Sequence, residues 1–395
     1  MYYSGMDLIN FFIDILYFPL RRLKSIVKKQ LGWVGNPIIQ TYRGYGNDHH
    51  FFIKGRVIED TGLTQPEEND KIRHNILAMI KRYGSTGISD VEVFAEFHGV
   101  RKKCITDEDG FFTLNMQVEH EMVDEQDWQH IHFYMKGKGR TIVHADGEIL
   151  LTRKKAQYGV ITDIDDTLLI SHATNARKKL RLMLFKNAKT RLPFDGVVAF
   201  YCALEKGFTG KKSDYLNPFF YVSSSEWNLY DLLADFCYYH KLPKGPFLLR
   251  QVSVSLGKIW KAGGGNHNHK LEKIRHILDL HEEREFILIG DSGQHDAEIY
   301  RQIVGEYPDR INTIYIRDVR PSKHEWVQQI ANEVKEMGAE MLLVKDTEEA
   351  AVHAIHKGYL HPKSLKKIVD EKTYNQLMES ELQQIMDRAL SYEDD

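Results

Sequence analysis

Gly159-Val160-Ile161-Thr162-Asp163-Ile164-Asp165-Asp166-Thr167 is the stretch that decides the fold. A short run with no charge on either face leads straight into three acids and a threonine. Such a run belongs in a sheet covered on both sides, because a half-exposed strand would alternate apolar with polar. Further runs of this kind follow at Phe219–Val222, Phe247–Leu249, Phe286–Ile289, Thr313–Ile316 and Met341–Val344, separated by helical stretches. Strand–helix alternation predicts βαβ units, and therefore an α/β fold with a doubly wound parallel sheet. Reacting groups in such sheets gather at the carboxyl ends of the strands.

The polar residues cluster where that rule expects them. The first strand runs into Asp163, Asp165 and Thr167; the second ends in Ser223-Ser224-Ser225. The fourth ends in Gly290-Asp291-Ser292-Gly293-Gln294-His295-Asp296, and Lys270 opens the amphipathic helix before it. A carboxylate such as Asp163 can attack phosphorus and split one hard displacement into two easier ones. A second, Asp165, can protonate the leaving oxygen and later activate water. Carboxylates and a phosphate repel one another, so a hard divalent cation is required, and Mg²⁺ suits Asp163, Asp165, Asp291 and Asp296 as ligands. A Ser223 hydroxyl and the Lys270 ammonium would hold the phosphoryl oxygens. Ser224 and Ser225 compete with Ser223, and Lys258 and Lys261 compete with Lys270. Thr167, Ser224, Arg250 and Arg317 stand as substrate-binding candidates, with structural salt bridges as the alternative role for the two arginines. His267, His269 and His295 read as loop residues or as supports to the site. Gly263-Gly264-Gly265 is no phosphate-binding loop, since no strand precedes it and no Gly-Lys-Ser/Thr follows.

Taken together, DxDx[TV] after a first strand, Ser after the second, a lone Lys and GDxxxxD after the fourth resemble the haloacid dehalogenase superfamily. Asp163–Leu168, Asn217–Ser223 and Gly290–Asp296 are similar to the actin-patch-associated phosphatidate phosphatase family. The resemblance covers roughly Thr152 to Gly358, and the β-rich part before it also looks like the family's usual N-terminal region. It implies Mg²⁺-dependent removal of phosphate from phosphatidate, a membrane lipid. Ser225-Glu226-Trp227 departs from the family's Ser-Pro-Trp, which bears on the wall beside the site and leaves the catalytic set intact.

Outward from this core, the 395 residues, 42% hydrophobic and 28% charged, predict a soluble globular chain of two domains with tails. The expected division is an amphipathic basic helix over 1–35, a β-sandwich-like domain over 45–152, the phosphatase-like domain over 153–361 and a helical acidic tail over 362–395. Phe51–Ile58, Val91–Phe97 and Phe111–Met116 read as strands and Ile72–Tyr83 as a helix. Asp107-Glu108-Asp109-Gly110 and Asp146-Gly147 supply hairpin-turn chemistry. His49, His50, His120, His130, His132 and His144 are scattered without metal-ligand spacing.

Net charge is −3, which excludes whole-molecule attraction to nucleic acid and leaves only local patches. Met6–Leu31 carries five basic residues against two acidic ones, beside the apolar Phe11, Phe12, Ile15, Leu16 and Phe18. Ser171–Pro193 carries seven basic residues and no acid. Both can touch an anionic membrane peripherally, and each can equally be a solvated or packed helix face. The insertions after the first and second strands leave no room for a large cap, so the site is expected to be open to a bulky phosphorylated lipid substrate. Three sparse cysteines, Cys104, Cys202 and Cys237, fit a reducing, cytoplasmic compartment. A phosphatase for a soluble phosphomonoester or phosphoprotein is the second reading. A membrane-binding module without turnover is the third, and the intact aspartate set speaks against it.

Overall fold

The computed structural model describes residues 36–60, 87–117, 127–137, 139–152, 155–164, 195–208, 215–251 and 268–376. The expected helix at Ile72–Tyr83, both basic segments and the end of the tail lie outside these residues.

The N-terminal part is built from β1 (Pro37–Thr41), β2 (Gly44–Gly46), β3 (His50–Glu59), β4 (Glu92–Phe97), β5 (Val100–Ile105), β6 (Phe111–Gln117), β7 (Trp128–Lys136) and β8 (Ile142–Leu151). Alternation sets the faces: in β6, Phe112, Leu114 and Met116 are buried while Thr113, Asn115 and Gln117 are exposed. All eight strands join one sheet, in the order β1-β3-β2-β8-β7-β4-β5, with β6 on β3. The sheet curls over its own inner face, so Phe51 of β3 meets Phe97 of β4 at 4.8 Å and Phe112 of β6 meets Phe133 of β7 at 5.4 Å. Two turn assignments need correction. Asp107–Gly110 turns the chain between β5 and β6, which do not pair with each other; β5 pairs with β4 and β6 with β3. Asp146-Gly147 lies inside β8, opposite His132 and Ile131. A Cβ on Gly147 would sit 3.0 Å from Phe133 Cε2 and 3.1 Å from Ile131 Cγ2, so the glycine serves packing and not a turn.

The second sheet follows the apolar runs closely. β9 (Gly159–Asp163), β10 (Phe219–Glu226), β11 (Phe247–Arg250), β12 (Phe286–Asp291), β13 (Ile311–Arg317) and β14 (Glu340–Val344) line up in the order β11-β10-β9-β12-β13-β14. Every pairing is parallel. α1 (Val197–Lys206), α2 (Tyr230–Tyr239) and α6 (Thr347–His356) share one core with this sheet. α3 (Asn268–Leu280), α4 (Asp296–Glu306) and α5 (His324–Glu336) form the other. Placing β9 and β12 side by side at the centre brings the ends carrying Asp163 and Asp291 together. A further helix over 364–376 docks on α1, where the Glu371 carboxylate accepts from Val198 N at 3.1 Å and Ala199 N at 3.0 Å. It thus caps a helix whose own cap residue, Gly196, has no side chain.

The two sheets share a sizeable contact. Tyr42 stacks on Trp227 at 4.4 Å, Tyr45 Oη lies 2.6 Å from His276 Nδ1 of α3, and Asn47 Nδ2 donates to Leu280 O at 2.8 Å. Cys104 and Cys202 are half-buried, Cys237 is buried, and all three are free thiols. No helix among the described residues is long and apolar enough to cross a membrane.

Behind Tyr45, the His281 ring lies among Phe220 and Phe286, with Nδ1 donating to Ile277 O at 2.7 Å. Burial, helped by the nearby Arg284 and Arg310, pushes its pKa down to about 4 against the backbone hydrogen bonds to Ile277 and Gly46. An unfolded imidazole titrates near ~6.5, so the unfolded chain binds the extra proton first as the pH falls. The contribution of His281 is therefore complete above ~6.5 and lost on the way down towards 4. Denaturant unfolding at about pH 8 and about pH 5 should show a loss on the order of 2 kcal/mol from this residue. A His281→Phe variant should have a shallower pH slope; an unchanged slope would contradict the assignment.

Candidate active site

Asp163 is the last residue of β9 and has no exposed surface. In register it stands beside Val222, so Ser223 is the next residue up the neighbouring strand. Ser223 is likewise fully buried, and its Oγ accepts from Ser225 N at 2.8 Å. Ser224 and Ser225 are only half-buried, which separates Ser223 from its competitors. Across β12, Asp291 closes the strand and Asp296 opens α4, both with no exposed surface.

Ligand atoms of Asp163, Asp291 and Asp296 lie within 4.8 Å of one another. Lys270 reaches into this group from α3, with Nζ 3.0 Å from Asp163 Oδ1 and 2.5 Å from Asp296 Oδ1. The loop after β12 is fixed by backbone donors: Gly293 N and Gln294 N donate to Asp291 Oδ1 at 2.6 and 3.1 Å. Asp291 N donates to Asp296 Oδ2 at 3.2 Å. From outside, Ser292 Oγ accepts from Val319 N at 2.9 Å and Arg320 N at 3.0 Å. Lys323 Nζ donates to Gly293 O at 3.2 Å and Gln294 O at 2.8 Å.

Among the described residues, three carboxylates and one ammonium with little or no exposed surface meet here, an excess of acid over base. Uncompensated, buried charge of this kind costs several kcal/mol per ion. The donor set is all oxygen and hard, which fits a cation such as Mg²⁺ and does not favour a soft-ligand metal. Asp163, Asp291 and Asp296 are the described residues that could hold it.

Other expected site residues fall elsewhere. Asp165, Thr167, Lys258, Lys261 and His267 lie outside the described residues. His269 faces Glu272 at 4.0 Å and His295 pairs with Glu298 at 2.6 Å, both in the open, so neither imidazole joins the carboxylates. Arg250 ends the edge strand β11, where its Nη2 lies 3.7 Å from Glu226 Oε1. Arg317 stands in register with Asp291 on β13. Burial brings its pKa down to about 10, against the pull of Asp195, Asp291 and Asp346. Two contacts escaped sequence reading. Gln294 Nε2 donates to Asp163 Oδ2 at 3.4 Å, and Lys273 Nζ donates to Ser223 O at 2.7 Å. Lys273 follows Lys270 by one helical turn, a spacing that puts both on one face and was the available signal.

Known proteins match this same part of the chain. Residues 158–318 match the family model described as the catalytic domain of phosphatidate phosphatase APP1. The chain is 30% identical over 196 residues to the phosphatidate phosphatase APP1 of Saccharomyces cerevisiae, covering 48% of this chain and 32% of that protein. It is 29% identical over 166 residues to an uncharacterized protein of Schizosaccharomyces pombe, covering 40% of this chain and 25% of that one. The chain thus spans a quarter to a third of the length of these curated relatives. A solved carbohydrate acetylesterase from Xanthomonas citri aligns over 76% of this chain and 75% of its own, at 10% identity and a TM-score of 0.23, too low to bear on the fold.

The packing at Gly290 yields a test of the carboxylate geometry. A Cβ there would fall 2.5 Å from Asp296 Oδ2 and 2.8 Å from Asp296 Cβ. Gly290→Ala should therefore displace Asp296 and, if these carboxylates hold Mg²⁺, weaken that binding by about 10- to 100-fold, the usual cost of disturbing a supporting contact. Calorimetric titration of Mg²⁺ into both proteins measures this; equal affinity would show that Asp296 takes no part in holding the cation.

Proposed function

We propose that the chain is a Mg²⁺-dependent phosphatase acting on phosphatidate, with Asp163 as nucleophile and a haloacid dehalogenase-like catalytic domain. The observation that carries the reading is the buried group of Asp163, Asp291, Asp296 and Lys270 at the ends of β9 and β12, inside the segment that matches the phosphatidate phosphatase family.

In this reading an Asp163 carboxylate oxygen attacks phosphorus, and the bond from phosphorus to the glyceryl oxygen breaks. Asp165 gives its proton to that leaving oxygen. Water then attacks the phosphorus of the aspartyl-phosphate, Asp165 takes up its proton, and phosphate leaves with the Asp163 carboxylate restored. Ser223 and Lys270 hold the phosphoryl oxygens, and Gln294 and Lys270 keep Asp163 aimed. Asp163, Asp291 and Asp296 would hold the cation, which would supply charge neutralisation where three carboxylates and a phosphate come together. Thr167, Ser224 and Arg317 are second-line contacts to substrate. Arg250 is placed further out, on the edge strand, where it can meet only a larger substrate.

Phosphate release from a panel of phosphatidate and soluble phosphomonoesters tests the reading. Phosphatidate should be the preferred substrate, and chelation by EDTA should abolish turnover. Asp163→Asn should retain less than about a hundredth of the rate, because the amide keeps the shape and loses the nucleophile. A preference for the soluble esters would move the assignment to that class, and full activity in chelator would remove the metal.

A lipid substrate also calls for peripheral membrane contact. The basic segments 1–35 and 171–193 supply it in this reading, each Lys or Arg near an anionic leaflet contributing on the order of 1 kcal/mol. Sedimentation should show binding to anionic vesicles and not to zwitterionic ones, weakened by salt and by deletion of residues 1–31. Equal partitioning, or none, would count against a substrate reached in this way.

A further inference from the structure

β7 and β8 pair with His130 opposite Glu148, His132 opposite Asp146 and Tyr134 opposite His144. Ile131 and Phe133, which alternate with these residues, are buried in the core of the curled sheet. The six polar and aromatic partners therefore share the outer face. There His132 Nδ1 lies 2.8 Å from Asp146 Oδ1, and His132 Nε2 lies 3.0 Å from His144 Nδ1. The two imidazoles are 5.1 Å apart and inclined by 26°. Tyr134 flanks both at 6.4 Å and is itself stacked on Phe94 at 5.3 Å. His132 and Asp146 are open to solvent, and so is His144.

We propose that His132 and His144 form a second metal site, for a transition-metal dication of the Zn²⁺ class, with Asp146 orienting His132. A hydrogen bond from His132 Nδ1–H to Asp146 leaves the His132 Nε2 lone pair free to accept, and it faces His144 Nδ1. This is the carboxylate–histidine arrangement that supports metal-bound imidazoles. Two imidazole nitrogens on one tetrahedral Zn²⁺, each bonded at about 2.0–2.1 Å, stand roughly 3.3 Å apart. The observed nitrogens need a few tenths of an ångström of opening and a turn of both rings to bring their lone pairs onto one ion, which exposed side chains on a paired hairpin can supply. On binding, the His144 proton moves from Nδ1 to Nε2 through solvent, freeing Nδ1 for the metal with no net proton released. Water fills the remaining positions. Nitrogen ligands here and oxygen ligands at Asp163, Asp291 and Asp296 divide the metals by softness, so the two sites take different ions.

Zinc titration of the full chain, without an added histidine tag, tests this. The Asp163→Asn/Asp291→Ala background, in excess Mg²⁺, removes the carboxylate site from the measurement. Calorimetry should then show one Zn²⁺ equivalent, which His144→Ala or His132→Ala eliminates. Asp146→Asn should keep the equivalent and weaken it by about 10- to 100-fold. Zinc-edge X-ray absorption should record imidazole nitrogen in the shell. Circular dichroism and melting temperature establish that each variant is folded. No zinc equivalent in the background protein, or one that survives both histidine substitutions in folded protein, would overturn the proposal.

Discussion

The Lys270 ammonium, held between Asp163 and Asp296, is the contact on which the candidate site depends. Carboxylates at the ends of adjacent strands repel, and burial removes the water that would otherwise screen them. One cation from α3 joins an acid on β9 to the acid that opens α4, so one strand and two helices are set by a single group. Everything around it serves to keep the acids from moving apart. Gly290 leaves room for Asp296, the backbone of the following loop grips Asp291, and Ser292 and Lys323 fasten that loop to the segment after β13. Lys270 offsets only part of the charge. Arg317, in register with Asp291, offsets a further part, and a divalent cation would offset the acid left over among the described residues.

The curled N-terminal sheet bears on this arrangement through α3. Tyr45 and Asn47 contact His276 and Leu280 on the helix that carries Lys270 at its other end. Tyr42 stacks on Trp227, immediately after β10, whose end supplies Ser223. The first sheet thus braces the two elements that deliver Lys270 and Ser223. The outer face of β7 and β8 packs on the second sheet's part at Trp128, Glu148 and Leu150, and further along that same face, in the open, the histidines gather.

Legibility from sequence followed the range of the forces involved. The strands of the parallel sheet could be read because burial on both faces demands continuous apolar runs, and Phe286–Ile289 can satisfy no other environment. Asp163 and Ser223 could be read because each directly follows such a run, and Asp291 because only Gly290 separates it from one. Lys270 was harder, since Lys258 and Lys261 precede α3 and compete with it, and only its insertion between two carboxylates distinguishes it. Gly147 misled because a glycine beside an aspartate has turn chemistry locally, while the rings of Phe133 and the methyls of Ile131 that exclude a Cβ come from another strand. Likewise His132 and His144 are twelve residues apart in a chain that shows no ligand spacing, and only the strand register brings their nitrogens to 3.0 Å. Contacts made across strands and loops, such as Lys323 to the Asp291 loop, leave no local trace at all.

The most direct measurement of the central claim, that the buried acids perform phosphoryl transfer, is to catch the phosphate on the protein. Phosphatidate labelled in its phosphate would be mixed with the chain and Mg²⁺, quenched in acid within milliseconds, and the protein digested and mapped. The account predicts label on the peptide containing Asp163, released by hydroxylamine and absent from the Asp163→Asn protein. Turnover with no covalent label at any quench time, or label on a peptide without Asp163, would contradict it.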